Sequence, residues 1–258
     1  MRGAPVLALA LGLSACAPPS GPPAAKHVST TTSTTVTTPA VAASGVRTVL
    51  SPIGLNVRSQ PSKTAPILRT AGRGAVLTVL ARTDGDGGWF EVKGPTVTGW
   101  MSSDPTLSAS GTFGSYDSTV HQVSLLYPQG WTTAELPPDS VVFRPPSGSD
   151  TVVVTTATTI DQIVRGRSGY HQTSSEQVVV CGVTGDLVTF VATGATTTTS
   201  LAPGVVAEQN FSQVRLALDP QHALDLEANY SAVAQLPIFQ EIVSSVTFPF
   251  PQCQPAGQ

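Results

Sequence analysis

Between Arg47 and Leu107 apolar residues come in short bursts separated by turn formers. Leu55-Asn56-Val57 runs into Pro61-Ser62, and Gly72 and Gly74 precede the run Val76 to Leu80. Asp84-Gly85-Asp86-Gly87-Gly88 then divides that run from Trp89-Phe90-Glu91-Val92. Short strands at regular spacing predict a small all-β unit. Beyond Phe113 the bursts lengthen. His121 to Tyr127 alternates as a half-buried strand and stops at Pro128-Gln129-Gly130, a turn signal. Further strands are predicted at Val141-Val142-Phe143, Thr151 to Thr156, Gln177 to Val183, Asp186 to Thr193, Val205 to Leu218 and Ala223 to Tyr230, with Gly182 to Gly185 as a hairpin bend. Two stretches read as helical. Thr159 to Val164 is short, with Thr159 placed to cap it. Leu236 to Val246 sets Ile238, Phe239, Ile242, Val243 and Val246 on one stripe at the spacing of an amphipathic helix.

The amino terminus differs. Arg2 precedes an apolar run from Val6 to Leu13, and Leu13-Ser14-Ala15-Cys16 follows. This is the layout of an export signal, and the run is far shorter than the ~20 residues a spanning helix needs. Leu-Ser-Ala-Cys resembles the lipobox of bacterial lipoproteins. That resemblance implies cleavage after residue 15, a diacylglyceryl group on the Cys16 sulfur, and membrane attachment through two or three acyl chains, which hold where one does not. Residues 16–46 are Pro/Ala-rich and then Ser/Thr-rich (Ser29 to Thr35), with no apolar period. Such a segment cannot bury enough to offset its ordering entropy, so it is expected to be a disordered tether. An O-glycosylated and an unmodified stalk both remain open.

Composition narrows the function. Of 258 residues only 11% are charged, 13 Lys+Arg against 16 Asp+Glu, for a net charge of −3. That is no footprint for nucleic acid. Gly 23 and Pro 22 with 6% aromatics suit strands and turns around modest cores.

Gly54-Leu55-Asn56-Val57-Arg58-Ser59-Gln60-Pro61-Ser62 resembles the opening signature of bacterial SH3 domains. Ile67-Leu68, Gly72, Gly74, Gly88 to Val92 and Gly99-Trp100-Met101 keep the family's order. The resemblance implies a small SH3-like β-barrel over residues 47–108. Gln60 stands where many members have glycine, so the turn into Pro61 must take another geometry or accept strain. Members commonly recognise cell-wall peptide or glycan, which makes Arg58, Trp89 and Trp100 candidate ligand-binding residues: aromatic faces stack, and a guanidinium pairs bidentately with carboxylate. The structural alternative is that both tryptophans anchor the core while Arg58 and Asn56 fasten a turn.

Val123 to Trp131, Val141-Val142-Phe143 and the terminal Phe239 to Phe248 together look like the PsbP-like family, and the terminal helix is similar to actinobacterial lipoproteins of the LpqN type. This implies that residues 113–250 form an α+β domain, an antiparallel-sheet α/β/α sandwich used for binding a protein or small ligand, with Trp131 as a structural plug and residues 251–258 as a tail. The whole chain is thus expected to be mainly β and α+β.

Of three cysteines, lipidation of Cys16 leaves Cys181 and Cys253, an even pair expected to form a disulfide outside the cytoplasm. It would close a loop of about 70 residues, on the order of 4 kcal/mol in the chain-entropy model. A catalytic Cys181 with His222 is the rival, but a thiol in a Val-rich strand lacks the setting that lowers its pKa. His27, His121, His171 and His222 show no metal spacing. The acids Asp161, Glu176, Asp186, Glu208, Asp219, Asp225, Glu227 and Glu241 are scattered and read as solvated surface. Neither catalytic residues nor cofactors are assigned. The expected function is a non-enzymatic envelope protein, lipid-anchored to the outer face of the cytoplasmic membrane, with peptidoglycan or envelope proteins as partners. A wall hydrolase or its activator, and a structural spacer, are the alternatives.

Overall fold

The computed structural model describes residues 39–193, 210–231 and 235–249; Cys16, residues 17–38 of the expected tether, Val205 to Gln209 and Cys253 lie outside them. Val41, Ala42 and Val46, expected in that disordered tether, are instead strand residues, held by pairing with Arg82, Ala81 and Thr78 rather than by an apolar pattern of their own. Eight strands come first: β1 (Val41–Ala42), β2 (Val46–Val49), β3 (Leu55–Arg58), β4 (Ile67–Ala71), β5 (Val76–Thr83), β6 (Trp89–Lys93), β7 (Thr98–Ser102) and β8 (Ser108–Ser110). They form one antiparallel sheet in the order β4-β3-β7-β6-β5-β2-β8, with β1 pairing with β5. Val49, Val57, Leu77, Val79, Val92 and Met101 meet in one core. Contributions from strands so far apart in the order require the sheet to curl on itself. In β5 the core takes Leu77 and Val79, while Val76 and Leu80 face outward. Gln60 is not among the residues with positive φ. Its carbonyl accepts a 2.8 Å bond from the Ser62 amide, so a different local turn replaces the glycine conformation without left-handed strain.

Nine strands and a helix follow: β9 (Phe113–Ser118), β10 (Val123–Pro128), β11 (Thr132–Leu136), β12 (Ser140–Arg144), β13 (Thr151–Ala157), β14 (Tyr170–Val180), β15 (Val183–Ala192), β16 (Asn210–Asp219), β17 (His222–Tyr230) and α1 (Leu236–Ser245). β9 and β10 form a hairpin, and the rest an antiparallel seven-stranded sheet, β11-β12-β13-β17-β16-β15-β14. The expected mainly β, antiparallel architecture is what the chain adopts. One face of this sheet is apolar. Val214, Leu216, Leu224 and Leu226 pack there against Phe239, Ile242 and Val243 of α1 and against Val123 and Leu125 of β10. The predicted apolar stripe of the helix is therefore the face it buries.

Three local readings change. The stretch Thr159 to Val164 makes only one 3-10 turn, Ile160–Gln162, and Thr159 makes no side-chain capping bond. Instead, Gln162 Oε1 accepts from Thr158 N and Oγ1. The hairpin bend lies at Cys181-Gly182, because Val180 pairs with Val183 and both turn residues have left-handed φ, 53° and 85°, as a type I′ turn demands. Gly185 is a strand residue whose missing Cβ leaves room for Leu216 Cδ2 and the Arg215 carbonyl. Finally, β14 begins at Tyr170, well before Gln177. Its first half is polar and exposed and carries no apolar alternation to announce it.

The described residues lie in one compact unit. Leu50, just after β2, and Ala109 of β8 pack with Leu126 of β10. Arg73 reaches across to donate Nε to the Ser245 carbonyl at 2.9 Å, a cation at the carboxyl end of α1 where the helix dipole favours it. Burial pushes the Arg73 guanidinium below its ordinary pKa.

Candidate functional site

Two places gather chemistry. On the first sheet, register sets Arg58 opposite Trp100 and Trp100 opposite Glu91, so the three lie in a row across β3, β7 and β6. Their strand neighbours Val57, Met101 and Val92 are fully buried. Alternation therefore turns the row outward, and all three are half-buried. Trp89 pairs with Ser102, two residues along from the Trp100 pair, so it shares that face diagonally. It is nevertheless only 3% exposed, and its indole Nε1 donates to the Asp86 carbonyl at 3.2 Å. Loops flank the row on both sides. Arg58 Nη1 donates to the Ala65 carbonyl at 2.7 Å, and the Lys63 amide donates to Asp86 Oδ2, tying the 59–65 loop to the 84–88 loop. The structure thus brings Arg58, Trp89 and Trp100 to one face. Neither tryptophan belongs to the central core cluster. Trp89 is a buried support for a loop, Arg58 does fasten the turn, and Trp100 offers ring surface between a cation and a carboxylate.

The second place was not legible as a site. The face of the large sheet opposite α1 carries Gln213 and Arg215 on β16 and Asp225, Glu227 and Asn229 on β17. A strap of residues 158–169 crosses it. Gln213 holds the strap by its backbone: Nε2 donates to the Val164 carbonyl at 2.9 Å and Oε1 accepts from the Gly166 amide at 3.1 Å. Gly166, at φ +75°, has to be glycine, since a Cβ would meet Phe190 Cε1 at 2.9 Å. Arg215 Nη2 donates to the Ile160 carbonyl. Arg167, on the strap, donates to Glu227 Oε2 and to Asn229 Oδ1 and lies over the Phe211 ring.

Asp225 sits beneath this lattice, 8% exposed. Its Oδ2 accepts from Gln213 Nε2 at 3.2 Å, and its buried Oδ1 has no partner. Gln213 Nε2 has two hydrogens but faces three acceptors, Asp225 Oδ2, Glu227 Oε1 and the Val164 carbonyl. Burial first, then repulsion from Glu227, pushes the Asp225 carboxyl up to about 7, against the weaker pull of Gln213, Arg215 and Arg167. Asp225 is therefore no solvated surface acid. The sequence signal lies in alternation. Gln213-Val-Arg215-Leu and Leu-Asp225-Leu-Glu227 are regular strands whose polar rows would be solvated if nothing crossed them. The strap that covers them is mostly polar, and its Ile160, Ile163 and Val164 are too few to announce that it lies on a sheet.

Beside this network opens a cavity of about 1100 Å³, walled by the β9–β10 turn, the strap and the start of β17, with Asp225, Glu227 and Arg167 in its lining. A second space of about 850 Å³ lies between Ile53 and Leu107, in the turns before β3 and β8, and Val179 and Gln240. Cys181 borders it and is disulfide-bonded; Cys253 lies outside the described residues. His222 pairs with Asp219 and His121 with Glu135. No three His, Cys, Asp or Glu among the described residues gather to hold a metal ion.

Residues 53–104 match the family model described as "Bacterial SH3 domain". No curated protein matches the chain. Among solved structures, the chain is similar to the solution structure of cyanobacterial PsbP (CyanoP) from Synechocystis, at 13% identity over 53% of this chain and 92% of that one, TM-score 0.38. It is also similar to a crystal structure from Bacteroides thetaiotaomicron, at 11% identity over 53% of this chain and 48% of that one, TM-score 0.32.

Proposed function

We propose that this chain is an exported, lipid-anchored envelope protein that binds rather than catalyses, its first module engaging cell wall or a wall-associated protein and its large sheet a smaller ligand or partner. The observation that carries the reading is the match of residues 53–104 to the bacterial SH3 domain together with the outward row Arg58, Trp100, Glu91. An indole flanked by a guanidinium and a carboxylate suits a peptide. The ring stacks on its backbone, Arg58 pairs with a carboxylate in the geometry a guanidinium favours, and Glu91 accepts from an amine or amide. Trp89 and the 59–65 and 84–88 loops hold that face in place.

The anchor in this reading is Cys16, acylated after removal of residues 1–15, with residues 16–40 as the spacer, a first module that begins with the strand at Val41 and runs to residue 110, residues 113–250 as the second module and 251–258 as a tail. Cys181 pairs with Cys253, tying that tail to the β14–β15 turn. A cysteine at a left-handed turn position, where asparagine or glycine is at ease, is retained in this reading for its sulfur.

The test is retention on purified peptidoglycan. The chain is expected to be held at modest salt, with Trp100→Ala and Arg58→Ala each weakening retention at least fivefold while the fold is kept. No retention, or equal retention by Trp100→Ala, overturns the wall-binding reading. Intact-mass analysis of the membrane fraction, showing diacylglyceryl on Cys16 and no signal residues, tests the anchor.

A further inference from the structure

We infer that the cavity between the β9–β10 turn and the strap binds a small amphiphilic organic cation, an amine on a hydrocarbon body, with its ammonium against Asp225. This rests on the reading of the large sheet as ligand-binding and supplies the ligand's chemical class.

Three observations converge. First, the space is large enough, about 1100 Å³, just above the ~300–1,000 Å³ usual for small-molecule sites. Its rim carries two apolar side chains left in solvent, Val120 at 81% and Val164 at 76% exposure, and Ile163, Leu218, Ala223 and Phe248 continue that surface inward. Exposed valines at the mouth of an apolar-walled space favour a hydrocarbon guest.

Second, the charge in the lining is unbalanced toward acid. Asp139, Asp225 and Glu227 line it against Arg167 alone among arginines and lysines. Arg167 is already engaged by Glu227 and Asn229, and the lining histidines His121 and His222 are paired with Glu135 and Asp219. An anionic guest would meet uncompensated carboxylates.

Third, Asp225 is more than nine-tenths buried, lies in the lining, and keeps one oxygen without a partner. A native fold rarely leaves such an acceptor bare. The charged and polar groups around it are known from every neighbouring element: Glu227 on its own strand, Gln213 and Arg215 on β16, Thr155 opposite on β13, and Arg167 on the strap. Of the charges, the repulsion from Glu227 outweighs the attraction of either arginine. An ammonium arriving there completes the hydrogen bonding and drives Asp225 to ionise. With its pKa at about 7, binding at neutral pH expels roughly half a proton to solvent.

The experiment is calorimetric titration of the chain at pH 7 and low salt with hexylammonium chloride, sodium hexanoate and hexanol, each in two buffers of different ionisation enthalpy. Hexylammonium is expected to bind at least tenfold more tightly than hexanol, with hexanoate silent and about half a proton released. Asp225→Asn should weaken hexylammonium at least tenfold and abolish proton release. Val164→Lys, an exposed rim change that leaves the buried network intact, should weaken it several-fold by placing a cation at the mouth. Equal binding by hexanol or hexanoate, or undiminished binding by both variants, overturns the cation assignment while leaving a ligand-binding sheet. Silence of all three probes overturns the ligand-binding reading of the sheet as well.

Discussion

Replacing Asp225 with asparagine should make the protein more stable at pH 8, and the gain should vanish toward pH 5. An unfolded aspartate has a pKa near 3.8, and burial together with Glu227 raises that of Asp225 to about 7 in the fold. Between those two values the folded state binds more protons than the unfolded one, so stability falls as pH rises. This contribution is fully present below about 3.8 and gone above about 7. At about 1.36 kcal/mol per pH unit the whole window amounts to roughly 4 kcal/mol, and the portion between pH 5 and pH 8 to roughly 2–3 kcal/mol. These are upper bounds, because the strap relaxes around an ionised carboxylate and lets water in.

Asparagine keeps the shape and stays neutral. Its oxygen accepts from Gln213 as Oδ2 does now, and its amide supplies the crowded acceptors with a donor they lack. Urea unfolding followed by tryptophan emission at pH 5, 6, 7 and 8 measures the difference. The chain's other titrating groups, the carboxylates Glu135 and Asp219 held low chiefly by hydrogen bonds among them, are common to both proteins and drop out of the comparison. If the asparagine variant runs parallel to the parent across this range, or is the less stable at pH 8, Asp225 is not held neutral by its surroundings and the account of the polar face fails.

Other outcomes follow from single contacts. Gly185→Ala places a Cβ about 2.5 Å from Leu216 Cδ2 and 2.6 Å from the Arg215 carbonyl, so the unfolding free energy from urea titration should fall by roughly 1–3 kcal/mol, the usual cost of overpacking. Arg73→Ala removes the bond to the Ser245 carbonyl and should cost about 1–3 kcal/mol, with amide exchange quickening at the last turn of α1 before it does in β16 and β17. The two tryptophans should separate. Trp89→Ala, emptying a buried site, should cost about 3–5 kcal/mol, whereas Trp100→Ala should cost less than half of that and show its effect in peptidoglycan retention.

What could be read from the sequence was what alternates or punctuates. Glycines and prolines marked the turns of the first module, and the spacing of Ile238 to Val246 fixed the buried face of α1. The row of Arg58 and Trp100 was half visible. Signature positions named both residues, but only the register of β3, β7 and β6 shows that they stand side by side and adds Glu91. Strands with no apolar face escaped. β11 is exposed along its whole length, and the first half of β14 is polar, because edge strands are held by one neighbour's hydrogen bonds rather than by burial.

The polar face of β16 and β17 escaped for a deeper reason. Alternation reports which residues share a side, and it cannot report what covers that side. Asp225 and Glu227 occupy positions that a two-layer sheet would leave in water. Asp225 is buried and Glu227 half-buried because the strap, whose few apolar residues form no strand or helix pattern, is held over them by side-chain amide and guanidinium bonds to its backbone. The interaction that creates the site is thus made by the site's own residues. Gln213 recruits the covering segment, the covering segment removes water from Asp225, and loss of water, with repulsion from Glu227, raises its carboxyl to about 7, so that it is about half protonated at neutral pH. A segment ordered chiefly by polar bonds leaves little hydrophobic trace in the sequence, here only Ile160, Ile163 and Val164, so the carboxyl with the most perturbed environment in the described fold sat among those that looked most ordinary.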